Sequence, residues 1–122
     1  MTPFGERLRR LRAERGITLK RMAAQLHVSP AYLSALEHGR RGRPSPGLVM
    51  QVAGCLGIIW DEVEELKRLA EISHPRVVVD TTGLDPAATE LANRLARTIR
   101  DLPEDVVRRM LAELRATPGG ER

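Results

Sequence analysis

Two short helical patterns near the N-terminus are separated by only two residues. The first, residues 18–26, opens on Thr18, a favoured helix cap, and repeats apolar residues at helical spacing. The second opens on Ser29, places Pro30 in the first helical position, where its missing N–H costs nothing, and stops at Gly39. Helices this short with so tight a connection have no room to lie antiparallel, so we predict that they cross steeply.

Steep crossing of two short helices is the helix-turn-helix arrangement, and neighbouring patterns extend it into a bundle. An arginine-rich pattern precedes the pair, between Thr2 and Gly16, and "PGLVMQVAGCLG" and "IIWDEVEELKRLAEIS" follow it. We therefore predict an all-α fold with a five-helix bundle in residues 1–73. Its core must be aliphatic, because the chain has one Phe, one Tyr and one Trp. Trp60 is expected either to plug this bundle or to lie in a subunit contact.

A run of three valines follows the bundle. Pro75 and Gly83 bound it, and β-branched residues in this setting are typical of extended backbone. The run indicates either an extended linker or a short strand that pairs with its copy in a second chain. Its residues are Val77, Val78 and Val79.

The rest of the chain has the pattern of two amphipathic helices. They complete a helical extension predicted at residues 74–116, which a flexible tail follows at 117–122. An apolar stripe on the first of these helices needs a partner surface. We expect that stripe, together with the valines, to form a homodimer interface, although it could also fold back on the fifth helix of the bundle. The stripe consists of Leu91, Leu95 and Ile99.

Positive charge is concentrated at the N-terminus. Residues 1–44 hold ten Lys or Arg against three Glu, whereas residues 45–122 hold ten against thirteen acidic residues. A basic head on a mildly acidic body suggests a polyanionic partner. The alternative is a solvated, arginine-rich surface.

Several classes of protein are disfavoured by composition. The single cysteine, Cys55, excludes an internal disulfide and fits a reducing cytoplasm. There is neither a signal-peptide core nor an apolar run of membrane-spanning length, so we expect a cytoplasmic protein associated with the nucleoid. Because no nucleophile setting, glycine-rich phosphate loop or metal-like His/Cys spacing is present, we expect no enzyme, no cofactor and no metal. His27 is interpreted as a turn residue.

Residues 4–66 resemble the phage-repressor, or xenobiotic-response-element (XRE), family of helix-turn-helix transcriptional regulators. The resemblance rests on the arginine-rich first helix, "RG-T" before the second, "VS" before the third, "LSALEHG" closing it and a downstream "RP". It implies a lambda-repressor-like DNA-binding bundle, commonly a dimeric bacterial or phage repressor, with the third helix in the major groove. It also implies a structural ion pair between Arg12 and Glu37.

The resemblance further implies two sets of DNA contacts. The exposed residues of the third helix would meet base edges: Ser29, Pro30, Ala31, Tyr32, Ser34 and Ala35. Flanking residues would contact phosphates or the minor groove: Lys20, Arg21, His38, Arg40, Arg41 and Arg43. For Tyr32, packing against the second helix is the alternative. His38 is expected to act as a neutral hydrogen-bond donor.

This sequence departs from the family pattern at positions that would contact DNA. Leu19 stands where many relatives have a phosphate-contacting glutamine, and the third helix carries none of Arg, Lys, Asn or Gln, the usual bidentate base readers. We therefore expect modest direct readout, supplemented by DNA shape. The predicted function is a sequence-specific regulator that binds double-stranded DNA, as a homodimer on a palindromic operator. The alternative is an antitoxin-like or anti-activator protein whose C-terminal helices bind another protein.

Overall fold

The computed structural model describes residues 1–118, and within them every regular element is an α-helix. The helices are α1 (Pro3–Glu14), α2 (Leu19–Leu26), α3 (Pro30–Glu37), α4 (Pro46–Leu56), α5 (Asp61–Glu71), α6 (Pro86–Thr98) and α7 (Glu104–Ala116). The all-α prediction is confirmed. The three valines at 77–79 form neither helix nor strand in this chain, and their pairing with a copy in a second chain stays a prediction.

The chain divides into two compact units, Met1–Val77 and a second that begins at Val78. The first unit holds the hydrophobic core, to which all five of its helices contribute. Apart from Phe4 the large buried side chains are aliphatic or methionine, so the core is mainly aliphatic, as predicted. The fully buried members include Phe4, Leu8, Met22, Ala23, Leu33, Leu36, Val49, Val52 and Leu66.

The first four helices begin with the same local device. In each, the hydroxyl of the cap residue accepts a hydrogen bond from the backbone N–H three residues further on, which satisfies a donor that the helix itself leaves without an acceptor. Such a cap contributes about 0.5–2 kcal/mol relative to alanine. The four caps are Thr2, Thr18, Ser29 and Ser45.

Two long-range hydrogen bonds tie helix ends together in the first unit. The buried Ser73 hydroxyl, just after α5, accepts from the Phe4 N–H at 2.9 Å and donates to the Leu69 carbonyl. At the other end of α1, Arg15 Nε donates to the Leu56 carbonyl at 2.9 Å, at the C-terminus of α4. Both bonds satisfy terminal groups that the helices leave open.

Trp60 does not plug the bundle. It is the N-cap residue of α5 with a positive φ of 54°, and its side chain is 81% exposed. Ile58 and Leu66, on either side of it in sequence, are buried in the core instead. The prediction that Trp60 plugs the bundle is wrong, because Trp60 lies in solvent at the start of α5 and Ile58 and Leu66 fill the core there.

The second unit contains α6 and α7. Asp85 caps α6 by accepting from the Ala87 N–H, and Pro86 occupies the first helical position. Neither helix has a fully buried residue. Of the predicted tail at 117–122, residues 119–122 lie outside the described residues. None of the helices between residues 1 and 118 combines the length and the hydropathy that a bilayer span requires.

Candidate nucleic-acid interface

The turn between α2 and α3 is closed by a left-handed residue. His27 ends α2 with φ 58° and ψ 40°, a conformation that histidine tolerates better than most non-glycine residues. Its N–H reaches the Ala24 carbonyl, and the Val28 N–H donates to the Ala23 carbonyl at 3.0 Å. These bonds close the end of α2 and redirect the chain into α3 within two residues. Ala23 is fully buried, which suits the close packing at a steep crossing.

The outer side of α3 is open to solvent at its N-terminal end. Ser29, Pro30 and Ala31 are exposed, whereas Tyr32, Ser34 and Ala35 are partly buried. Leu33 and Leu36 anchor the opposite side in the core. The Ser29 hydroxyl already accepts from the Tyr32 N–H at 3.0 Å, so toward a base it retains its own O–H to donate. The predicted reading residues therefore form a small-residue surface with few polar groups.

The cations predicted to contact DNA have no carboxylate partner among the described residues, whereas most arginines in and just after α1 have one. Four α1-region arginines have a carboxylate at 2.9–3.7 Å: Arg7, Arg10, Arg12 and Arg15. In contrast, the cations that flank α3 are exposed, and no ion pair holds them within residues 1–118: Lys20, Arg21, Arg40, Arg41 and Arg43. Among residues 1–44, Arg9 is the further exposed cation for which the structure gives no ion pair, so the unpaired charge lies mainly in α2 and in the loop after α3.

The loop after α3 turns sharply to present its arginines. The Arg40 N–H donates to the Ala35 carbonyl at 2.8 Å, and Gly39 and Gly42 adopt positive φ values of 79° and 77°. Glycine suits both positions because it has no Cβ to clash. A Cβ on Gly39 would lie 2.9 Å from the Thr2 methyl carbon, so the start of the loop packs directly on the N-terminus of α1.

While its ring stays bonded to Ser34, His38 is not available as the neutral donor that we expected. Its Nδ1 lies 2.8 Å from the Ser34 carbonyl oxygen, which can only accept, so Nδ1 carries the proton. The neutral ring then presents Nε2 as an acceptor, and an acceptor repels phosphate oxygen. Only the protonated imidazolium could donate to the DNA backbone from this position.

Tyr32 makes contacts on two sides. It is partly buried against the core cluster, and the Arg41 guanidinium carbon lies over its ring at 6.0 Å from the centroid. That distance is at the outer limit of a cation–π contact, which contributes about 0.5–1 kcal/mol at an exposed site. The Tyr32 side chain therefore packs on the core with one part and contacts the loop arginine with another.

A buried ion pair fixes α3 to α1. Arg12 Nη2 donates to Glu37 Oε1 at 2.9 Å, and Arg12 Nη1 donates to the Ile17 carbonyl at 3.3 Å in the turn before α2. Both side chains are at least 90% buried, and Arg12 Nε has no hydrogen-bond partner among the described residues. One guanidinium thus joins the first helix, the turn before the second and the end of the third.

Sequence reasoning missed a second connection at the same place. The Thr2 N–H donates to the Glu37 carbonyl at 3.1 Å, and Gly5 lies directly against that carbonyl. A glycine inside a helical pattern is the signal that could have indicated this close approach.

The predicted dimer residues are mostly exposed. The valines at 77–79 are 70%, 96% and 63% exposed, Leu91 is 57% exposed, and Ile99, the C-cap of α6, is 50% exposed. Leu95 is partly buried. The apolar stripe on α6 is therefore largely uncovered.

Comparison with known proteins places this geometry in a family. The family model described as a helix-turn-helix domain matches residues 3–66. The HTH-type transcriptional repressor RghR of Bacillus subtilis (strain 168) is 41% identical over 61 residues, which cover 50% of this chain and 45% of the relative. The uncharacterized HTH-type transcriptional regulator RghRB of the same organism is 35% identical over 63 residues, covering 52% and 45%.

A further relative comes from a different organism. The HTH-type transcriptional regulator DdrOP3 of Deinococcus deserti is 47% identical over 60 residues, which cover 49% of this chain and 46% of the relative. The chain thus matches about half the length of these curated relatives. No solved structure matches it significantly. With the family model covering half of the sequence, and α2 and α3 joined by a turn of only a few residues, this chain belongs to the helix-turn-helix domain family.

Proposed function

We propose that this protein is a non-enzymatic transcriptional regulator that binds double-stranded DNA through α3. The observation that carries the proposal is the exposed N-terminal end of α3, flanked by five exposed cations that no described carboxylate neutralises. A helix fits into the major groove, which is roughly 12 Å wide, and places its outer residues against base edges. The names of the related proteins, which are transcriptional regulators and a repressor, support the same function.

In this proposal the two predicted contact sets keep separate roles. Exposed residues at the start of α3 meet the bases, with alanine and proline touching thymine methyl groups and Ser34 donating a single hydrogen bond. Lys20 and Arg21, in the first turn of α2, and the arginines of the loop after α3 neutralise phosphates, and Arg43 can reach the minor groove. His38 joins them only in its protonated form.

The second unit is proposed to make the protein a homodimer. The uncovered Leu91 and Ile99 side chains, with the exposed valines before them, supply an apolar surface that a second copy could bury. A dimer with two-fold symmetry would bind a palindrome whose half-sites lie about 10 base pairs apart. Such a regulator would act on the nucleoid in the cytoplasm.

Selection of binding sequences from a random DNA pool tests this proposal. The expected result is an enriched palindrome that the protein footprints at near-physiological salt. The enriched sequences report the motif, its symmetry and its half-site spacing in one experiment. Failure to enrich any sequence, with binding that disappears at that salt, would reject sequence-specific recognition.

Sedimentation at several concentrations tests the dimer. Leu91→Asp places a charge on the apolar stripe and should shift the protein toward monomer, whereas Asn93→Asp adds the same charge at a polar position of α6 and should not. A wild-type protein that remains monomeric at tens of micromolar would contradict the homodimer.

The second candidate function is an interaction protein of the antitoxin or anti-activator type. The uncovered stripe of α6 and the small-residue surface of α3 favour it. In that case the purified chain would sediment as a monomer, and Leu91→Asp would abolish binding of a partner protein while leaving any DNA binding unchanged. The sedimentation experiment therefore separates the two candidates.

A further inference from the structure

The reading surface of α3 lacks a bidentate base reader. Its outward side chains between positions 29 and 35 are serine, proline, alanine and tyrosine. Recognition of guanine in the major groove is usually made by a guanidinium or ammonium that donates to O6 and N7 together. A protein with this surface must obtain such a contact from outside the helix, or do without it.

One guanidinium outside the helix lies over a side chain of its first turn. Arg41 lies in the loop after α3, and its guanidinium carbon stands 6.0 Å from the centroid of the Tyr32 ring, over that ring. Tyr32 is the third residue of α3, and the Ser29 cap bonds to its N–H, so the ring is carried by the first turn of the helix. No carboxylate among residues 1–118 pairs with Arg41. The loop arginine is thereby associated with the part of α3 that enters the groove.

We infer that Arg41, and not a residue of α3, reads a guanine in the major groove, and that Tyr32 is its positioning residue. The inference rests on the proposed function, and it changes the predicted role of Arg41 from phosphate contact to base contact. A cation–π contact uses the charge of the guanidinium and none of its hydrogen bonds, so the N–H groups remain free to donate bidentately. The ring also restricts the arginine before DNA arrives, which reduces the conformational entropy lost on binding.

The neighbouring arginines retain the phosphate role. The backbone N–H of Arg40 closes the end of α3 on the Ala35 carbonyl, and neither its side chain nor that of Arg43 lies over an aromatic ring of the described residues. An arginine on a phosphate is detected by the salt dependence of binding, whereas an arginine on a base edge is detected by sequence preference. Arg40 is therefore the matched control for Arg41, because it lies next to it, is also exposed and carries the same charge.

The test measures Kd at several salt concentrations for two duplexes. One duplex is the sequence that the wild-type protein enriches from a random pool, and the other has a single G·C pair of that motif replaced by A·T, with each such pair tested in turn. The wild-type protein should discriminate by roughly 5- to 150-fold at one of these pairs. Arg41→Ala should lose that discrimination with little change in salt slope. Arg40→Ala should keep the discrimination and lower the slope by about 0.9 per half-site, or about 1.8 for the dimer.

Substitutions of Tyr32 test its positioning role. Tyr32→Phe keeps the ring and should keep the discrimination, while Tyr32→Leu removes the ring and should reduce the discrimination toward that of Arg41→Ala. In the Arg41→Ala background, Tyr32→Leu should have no further effect at that base pair. This dependence on the arginine is a result that loss of packing alone would not produce.

Three results would overturn the inference. Arg41→Ala could retain full discrimination at every pair, Arg41→Ala could lower only the salt slope as Arg40→Ala does, or Tyr32→Phe could behave like Tyr32→Leu, which would make the hydroxyl the reader. A wild-type protein that enriches no motif at all would instead reject the proposed function. Arg41 is exposed, so its alanine variant keeps the test valid even if Tyr32→Leu fails to fold.

Discussion

Gly5 of α1 lies so close to the backbone of Glu37 at the end of α3 that a Cβ added to it would stand 2.0 Å from the Glu37 carbonyl oxygen. That oxygen also accepts the Thr2 N–H at 3.1 Å. The N-terminus of α1 and the C-terminus of α3 are therefore joined through backbone atoms, and their separation sets where the basic loop after α3 begins.

Gly5→Ala is expected to destabilise the protein by more than about 2 kcal/mol, because the added methyl group would meet the Glu37 backbone, which cannot move aside as a flexible side chain can. Gly54→Ala is the matched control, since Gly54 is also helical but an added Cβ there would meet no atom within 4 Å, and it should stabilise by about 0.5–1 kcal/mol. Urea unfolding followed by circular dichroism measures both. Equal effects of the two substitutions would contradict the close approach.

The buried Arg12–Glu37 pair is expected to be costly to break from one side. Glu37→Gln leaves a guanidinium buried without its counter-charge and should cost about 3–5 kcal/mol in unfolding free energy. Glu6→Gln removes the exposed partner of Arg10 at 3.4 Å and should cost no more than about 0.5 kcal/mol. A loss below about 1 kcal/mol for Glu37→Gln would show that the pair does not hold α1 to α3.

The exposed loop arginines are expected to control the salt dependence of DNA binding. Arg40→Ala and Arg43→Ala should each reduce the slope of log K against log salt by about 0.9 per half-site, or about 1.8 for the dimer, because each removes one phosphate neutralisation in each subunit. Arg68→Ala, at an exposed arginine of α5, changes net charge equally and should leave the slope almost unchanged. If all three variants lost the same slope, net charge alone would explain the binding.

The turn before α6 is expected to depend on acid pH. Hydrogen bonds from the Thr82 side chain and then from the Thr82 N–H, at 2.9 Å, hold the pKa of Asp80 below its usual value of 3.8. A lowered pKa means that the contribution of these bonds is present above the unfolded-state value and is lost as pH falls through the folded-state value. Thr82→Val should raise the Asp80 pKa, as followed by carboxyl-carbon NMR.

A second hydroxyl in the same unit provides the control for that titration. Thr89 Oγ1 lies 2.8 Å from Thr81 Oγ1, and its hydrogen bond is made to that hydroxyl, so Thr89→Val should leave the Asp80 titration unchanged. A pKa in the Thr82→Val protein equal to that of wild type would mean that the side-chain hydrogen bond is absent in solution.

Sequence reasoning succeeded where structure depends on near neighbours. The caps at Thr18 and Ser29 were readable because each bonds to an N–H three residues away, whereas the Ser45 cap was not predicted. The bundle-plug prediction for Trp60 failed, because the position of that side chain depends on contacts with residues that the local pattern does not place. The small-residue surface of α3 was legible from the sequence, because it follows from the residue types at positions 29–35 alone.

The amino-acid sequence by itself determined the helices, their ends and the two-residue turn, since caps, glycine stops and apolar spacing act through bonds within a few residues. Only the tertiary structure decided which arginines are available. It buries Arg12 against Glu37, engages Arg15 with the Leu56 carbonyl, and leaves Arg40 and Arg41 exposed. The physical reason is that pairing and burial of a charge depend on residues far away in the chain, which folding alone brings within contact distance.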